Sequence, residues 1–455
     1  MRIAVVGSGI SGLATAYLLD EAHEVVLYEA GDHVGGHTRT VGLTGREGVR
    51  RVDTGFVVFN ETTYPGFLAF LRHLGVGWKD SDMSFSVACP STGLEYCGTS
   101  LATLFAQPTN ALRPSFLGML RDIARFNRRS SELLAQDALE TPTLGEYLEE
   151  GRYGRAFRDH YLVPMASAVW SSSPAQMMEF PAGLLLRFFQ NHQFLTVDSH
   201  LTWKVVEGGS SAYVDQVCSR LQGSVRAATP VERIERDQPG GGVAITSRPQ
   251  GGVSTREHFD AVVLATHADQ ALRLLHEPTP EERELLGAFP FSDNEVVVHT
   301  DTSLLPAAPR ARASWNYHVR PEAPDRAIVT YDMTRLQGLP GPERFLVTLN
   351  HTSAIDPDLI RLRFRTGHPI FTVGGARAQS RHAEISGHRD THYAGAWWRN
   401  GFHEDGLWSA FRVARALGVE PADRLGEPSL ATDPATRTDS AIRADAVGAP
   451  PRGVG

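Results

Sequence analysis

The first thirty residues constrain this chain more than any other stretch. Residues 2–6 (RIAVV) are a short apolar run suited to a buried parallel strand, and Gly7-Ser8-Gly9-Ile10-Ser11-Gly12 follows without a gap. Residues 11–22 then read as a helix, with Leu13, Ala16, Tyr17 and Leu19 available for packing. A second strand over 24–28 ends in Glu29, followed by Ala30. Gly7 permits a tight turn, Gly9 lets backbone N–H groups approach a pyrophosphate, and Gly12 allows helix and strand to touch. The helix start at Ile10 and Ser11 offers partial positive charge to phosphates, and Glu29 can accept hydrogen bonds from a ribose. The glycine spacing alone is a weak signal. With the strand before, the helix after and the acid at the right distance, it points to an α/β, Rossmann-like, dinucleotide-binding unit.

Composition narrows the class. The chain has 455 residues, 42% hydrophobic and 21% charged, enough for a sizeable core and unlike a disordered or fibrous protein. With 52 acids against 44 bases, a net charge of −8 and no long basic run, nucleic acid is not an expected partner. Lys79 and Lys204 are the only lysines, so the other basic residues are arginines. Cys89, Cys97 and Cys218 form no CxxC pair and no zinc spacing, so we expect no metal site and a reducing, cytoplasmic setting. The opening residues enter a strand at once with no leader pattern, and no stretch of about twenty apolar residues occurs that would span a membrane.

After Glu29 the chain reads AGDHVGGHTRT, with a glycine pair at Gly35 and Gly36, and then VDTGFVVFN from Val52. A plain doubly wound sheet would place another helix and strand there. The glycine-rich segment instead suggests backbone laid along an extended cofactor. Here the chain resembles the flavin-containing amine oxidase and phytoene desaturase superfamily, which carries a GG-R/H-x-x-T/S element just after its ribose-binding Glu. Within it, VDTGFVVFNETTYPGF, SDMSFSV, AVVLATHADQAL and GFHEDGLWSA resemble a bacterial group described as predicted NAD/FAD-binding oxidoreductases. That group is often associated with cyclopropane fatty acid synthase-type methyltransferases. The similarity extends to about residue 420.

The resemblance implies a GR2-type FAD-binding domain with an inserted α+β substrate domain of mixed or antiparallel sheet plus helices. It also implies where FAD is held. Gly35, Gly36, His37 and Thr38, and then Thr54, Gly55 and Phe56, lie in the extended loops. Gly208 and Gly209 precede a helix, Val231 opens a strand whose backbone meets the adenine side, and Ala265 and Thr266 end a buried strand. Gly395 falls near the pyrophosphate, and a helix beginning near Asp405 to Leu407 aims N–H groups, Gly406 among them, at the flavin, with Asp405 as its cap and Glu404 contacting flavin or fixing the turn. The FAD domain is then assembled from residues 1–80, 200–282 and 380–420. Residues 81–199, mostly helical, and 283–379, with runs that alternate like antiparallel strands, make the substrate domain. Residues 421–455, without aromatics and rich in Ala, Pro, Asp and Arg, read as a disordered tail.

The chemistry implied is hydride removal from a hydrophobic substrate, of acyl-lipid type by the group association. One alternative is an amine or amino-acid oxidase using O2; another, of a different class, is a non-catalytic FAD-binding accessory protein of a lipid-modifying methyltransferase. No second nucleotide motif is present for NADPH, so electrons leave to O2, a quinone or a carrier. Oxidases of the amine oxidase branch often carry a lysine on a substrate-domain strand, and the matching stretch PFSDNEVVVHTD has none. His299 is its ionisable candidate, or else a satisfied strand histidine. Trp398 beside Trp397 is an aromatic wall or ordinary packing. His403 contacts flavin or fixes its turn, and His37 serves the cofactor or is a neutral loop residue. No cysteine lies between Arg381 and Gly406, where covalent family members use one, so FAD is expected to be non-covalent. Phe180, Phe188, Phe189 and Phe194 line an apolar tunnel or a helical core. Arg113, Arg121, Arg125, Arg128 and Arg129 form a solvated helix face or a peripheral contact with anionic lipid on the inner face of the membrane.

Overall fold

The computed structural model describes residues 1–45, 47–135, 142–195 and 201–431. Its central layer is a five-stranded parallel sheet in the order Ser224–Arg226, Glu24–Tyr28, Arg2–Val6, Ala261–Leu264, Thr391–Tyr393. Strands from three distant stretches of chain thus lie edge to edge. They read as apolar runs because both faces are covered. Ile3 and Val5 pack with Leu13, Phe67, Tyr213, Leu407 and Phe411 of the helices Ile10–Leu19, Pro65–Leu74, Ser211–Arg220 and His403–Ala416. Ala4 and Val6 turn to the opposite face and meet Ile234, Ile245 and Phe259 of a three-stranded antiparallel layer. Each fully buried phenylalanine here contributes about 1.5–3 kcal/mol.

The second body is a seven-stranded sheet in the order Ile360–Pro369, Phe291–His299, Leu346–Leu349, Val329–Asp332, Trp315–His318, Phe85–Cys89, Leu94–Cys97. Five of its pairings are antiparallel; only Trp315–His318 with Phe85–Cys89 is parallel. The hairpin of residues 85–97 comes from the stretch read as mostly helical. It alternates, sending Ser86 to donate a 2.9 Å hydrogen bond to Asn316 Oδ1 within the sheet. Helices from residues 114 to 191 cover this body, burying Phe116, Phe126, Phe157, Phe180, Leu185 and Phe189 among them.

Two sequence expectations need correction. The helix expected near Asp405 to Leu407 starts at His403, and the Asp405 side chain caps it by accepting the Phe402 amide at 2.9 Å. The tail also begins later than its composition implies. Residues 421–431 are ordered because Ala422, Leu425 and Leu430 pack into the helical core, and Glu420, ion-paired to Arg415, caps the helix Pro421–Leu425. The remaining tail, 432–455, lies outside the described residues, as does the 199/200 boundary.

Candidate functional site

The site is built at the C-terminal edge of the parallel sheet. The chain leaves Arg2–Val6, turns at Gly7 with φ +100°, and enters the helix Ile10–Leu19. A Cβ on Gly12 would lie 1.8 Å from the Gly7 carbonyl oxygen, so only glycine lets helix and turn meet. A Cβ on Gly9 would meet nothing within 4 Å. Gly9 is also the helix N-cap, without a side-chain cap bond and without an acid in the first turn. A buried helix start of this kind has N–H groups to spare and open space in front of them, the donor set a pyrophosphate needs. Ile10 and Ser11 are themselves buried, so their contribution is backbone.

Glu29 stands across this turn. Its carboxylate accepts the Ser8 amide at 3.0 Å, the Ser8 hydroxyl at 2.5 Å and the Gly31 amide at 2.7 Å. A carboxylate has about four acceptor sites, so room remains for a ribose hydroxyl. Ala30 is exposed on the rim. The Glu29 carbonyl accepts the Thr229 amide, which brings the start of Val231–Glu235 alongside. Ala265 closes the other side, its amide bonded to the Val6 carbonyl and its carbonyl oxygen 2.7 Å from a Cβ on Gly7. Thr266 follows, its carbonyl receiving the Trp397 indole N–H at 3.2 Å.

The glycine pair folds over this turn. Gly36, at φ +59°, comes so close to Gly9 that a Cβ would lie 2.9 Å from its Cα. A Cβ on Gly55 would sit 2.0 Å from the His37 carbonyl oxygen, which accepts the Phe56 amide. His37 then reaches the second body: its Nε2 lies 3.1 Å from Thr366 Oγ1, and its ring centroid is 5.1 Å from His368 and 6.3 Å from His267. Burial lowers all three imidazoles, to about 4 for His267 and about 3 for His368, so they are neutral near pH 7. Asn294 Nδ2 donates to His368 Nδ1 at 2.9 Å, which leaves the ring proton on Nε2. His267, His368, Thr366 and Asn294 were not singled out from the sequence. His267 directly follows the Ala265-Thr266 pair, the one local hint; the others meet through pairing of distant strands.

The helix His403–Ala416 brings a second N-terminus to the same edge. A Cβ on Gly406 would come 2.6 Å from Ile10 Cγ2, so glycine lets the two helix starts touch. The side chains at this start are spent on the protein. His403 Nε2 lies 2.9 Å from Thr38 Oγ1 and 3.2 Å from Tyr213 OH, its ring stacked on Phe56 at 3.4 Å. Burial keeps it neutral. Glu404 accepts the Gly66 and Phe67 amides, both at 2.8 Å, and the Trp408 indole at 2.5 Å. It caps the helix Pro65–Leu74, and burial pushes its carboxyl up to about 7. Asp405 pairs with Arg399 at 3.5 Å, and Leu407 is in the core. Only first-turn backbone amides of 403–405 remain for a ligand. Likewise Thr38 serves Tyr213 and His403, and Thr54 donates to the Arg39 carbonyl.

The catalytic candidates fare unevenly. His299 does not face the cradle: Val296 and Val298 point to the side shared with Val57 and Val58, while His299 points to the other. Its Nδ1 accepts the Asp301 amide at 3.1 Å, and its Nε2 donates to Thr348 Oγ1 at 2.7 Å. It is a satisfied core histidine. Trp397 and Trp398 are 4% and 2% exposed and pack on Phe289 and on each other, so packing accounts for them. Gly395 donates its amide to Ser409 Oγ at 2.8 Å, with the Trp397 indole folded over it. His403 contacts Thr38, Tyr213 and Phe56. The aromatic side chain that reaches the joint with the helical body is Phe402, stacked on Phe188 at 4.9 Å and 6.0 Å from Trp170.

A family model described as flavin containing amine oxidoreductase matches residues 10–418. The chain is 27% identical over 263 residues to AofH of Mycobacterium tuberculosis, which carries the name flavin-containing monoamine oxidase. That match covers 54% of this chain and 53% of the relative, about half its length. The fatty acid isomerase of P. acnes, named as producing CLA, superposes with a TM-score of 0.64 at 18% identity, over 91% of this chain and 98% of that one. The cyclohexylamine oxidase of Brevibacterium oxydans superposes with a TM-score of 0.63 at 16% identity, with the same coverage.

Proposed function

The chain belongs to the flavin containing amine oxidoreductase family, whose cofactor is FAD, and from that premise we propose that it removes hydride from a carbon of an apolar, acyl-type substrate. One observation carries the reading. The strand Phe291–His299, past Asn294, turns only Val296 and Val298 to the face on which Thr366 meets His37, and there they cluster with Val57, Val58, Val347 and Phe364. A charged or strongly hydrated substrate would lose its water there without replacement.

The chemistry that FAD supplies when bound is acceptance of a hydride equivalent from carbon. Gly7 to Gly12 and the helix start at Ile10 would hold its pyrophosphate, and Glu29 a ribose. The first-turn amides of His403–Ala416 favour negative charge at their end of the site. His37, His267 and His368 are neutral, so they present hydrogen-bond partners without fixed charge. Phe402, Phe188 and Trp170 close the joint against water. Arg39 lies over Phe364 at 4.6 Å, and Arg399 is paired with Asp405 at 3.5 Å. The fold is shared with a fatty acid isomerase and with cyclohexylamine oxidase, so it accommodates an acyl chain as well as an amine.

Anaerobic stopped-flow following the flavin absorbance, with a panel of acyl phospholipids, fatty acids, amines and amino acids, tests the reading. Bleaching by acyl substrates alone is expected. Bleaching by amines alone overturns it in favour of an amine oxidase, and bleaching by nothing in favour of the accessory role. Hydrogen peroxide in air would identify O2 as acceptor.

A further inference from the structure

Residues 101–128 carry an unusual surface. Among the described residues the exposed large apolar side chains are Met1, Val49, Leu101, Leu112, Leu117 and Val253, and three of these six fall within seventeen positions. Leu101 is 76% exposed, Leu112 84% and Leu117 47%. They belong to one folded-back segment: Phe105 packs on Phe116 at 5.8 Å, and the Leu117 amide bonds the Arg113 carbonyl beside Leu112. No exposed residue between 101 and 120 is charged. Arginines then follow on the helix Pro114–Ala135, whose outward stripe runs Leu117, Arg121, Ala124, Arg128. Arg129 pairs with Glu150 at 2.8 Å and Arg125 with Asp122 at 3.2 Å, but Arg121 and Arg128 have no ion pair among the described residues. Residues 101–135 hold five arginines and two acids, Asp122 and Glu132, a net +3 in a chain of net −8.

We propose that this surface docks on an anionic lipid bilayer, with Leu101, Leu112 and Leu117 entering the headgroup layer and Arg121 and Arg128 meeting lipid phosphates. The charge selects the occupant: a local excess of arginine on an acidic protein is drawn to an anionic surface. A second copy of the chain is the poorer occupant. A stable dimer buries about 1,200–2,000 Å² against a complementary face, and three separate protruding leucines do not make one. An uncharged apolar tip with a cationic collar is the arrangement of an interfacial segment. This inference stands apart from the substrate reading, because it is measured without turnover.

The test is flotation of the FAD-loaded full chain with vesicles of phosphatidylcholine alone and of an equimolar phosphatidylcholine and phosphatidylglycerol mixture. The chain should float with the anionic vesicles only, and less as salt is raised. Arg121→Gln/Arg128→Gln should weaken partition about thirtyfold, and Leu112→Ser/Leu117→Ser should lower it further in salt, with flavin absorbance and melting unchanged in both. Equal flotation of wild type and both variants overturns the proposal, as does no binding to anionic vesicles. So does a solution dimer that Leu112→Ser/Leu117→Ser dissociates.

Discussion

The His37 Nε2 and the Thr366 Oγ1 lie 3.1 Å apart across 329 residues of chain. This contact ties the loop that folds over Gly9 to the strand Ile360–Pro369 of the seven-stranded sheet, so a side-chain hydrogen bond joins the two bodies here. Thr366→Val keeps the shape and removes the hydroxyl, at a cost of about 1 kcal/mol in urea unfolding. Combined with His37→Ala, the loss should fall short of the sum of the two single losses by a similar amount. Simple additivity would show that the two bodies are not coupled here.

Glu404 predicts a different kind of failure. Its carboxylate takes three donors, the Gly66 and Phe67 amides and the Trp408 indole, in a fully covered place. Glu404→Gln leaves one acceptor oxygen and turns an NH2 group toward a donor, costing about 2–3 kcal/mol. The loss should appear in the melting of the FAD-free protein. A variant that melts normally and loses only FAD affinity would place the carboxylate on the cofactor instead.

The contrast between these residues and Gly7 to Gly12 shows what the sequence could carry. Turn, helix start and strand end are adjacent in the chain, and their constraint is local: a positive φ at Gly7, no room for a side chain at Gly12. That part was legible. Glu404 could be placed at a helix start but not assigned to the start of another helix 338 residues away. The alternation in NEVVVHTD put His299 on the opposite face from Val296 and Val298, yet which face turns to the cradle is decided by Val57, Val58 and Phe364. The histidine cluster of His37, His267 and His368 is likewise a product of strand pairing, since His368 reaches it only by pairing with Ser292.

His299 and His318 give the stability a pH dependence. They bracket a buried chain across the sheet, His299 to Thr348, Thr348 to Thr330, Thr330 to His318, at 2.7, 2.9 and 3.0 Å. Burial lowers His299 to about 4 and His318 to about 3. Below the unfolded value of about 6.5 the unfolded chain takes up protons that these rings refuse. Each therefore lowers stability by about 1.4 kcal/mol per pH unit as pH falls from 6.5 toward 4, and neither matters above 6.5. His299→Gln keeps a polar group near Thr348 without the titration, so denaturant unfolding at pH 7.5, 6 and 5 should show a shallower slope by that amount. Flavin reduction at pH 7.5 should be unchanged. A large fall in that rate would return His299 to the catalytic machinery.

Gly9 and Gly12 separate cofactor binding from folding within one turn. A Cβ on Gly12 meets the Gly7 carbonyl at 1.8 Å, so Gly12→Ala must push helix from strand in the middle of the core, and the FAD-free protein should lose several kcal/mol, roughly the overpacking range or more. A Cβ on Gly9 meets nothing, and its φ of −63° is open to any residue. Gly9→Ala should therefore leave the FAD-free protein as stable as wild type to within about 1 kcal/mol. Its methyl would stand in front of the uncapped amides of Ile10–Leu19, where the pyrophosphate must approach. FAD affinity, measured by quenching of flavin fluorescence on reconstitution, should drop at least about tenfold, or about 1.4 kcal/mol. Gly9→Ala binding FAD as tightly as wild type would mean that the phosphates are seated elsewhere, whatever the family.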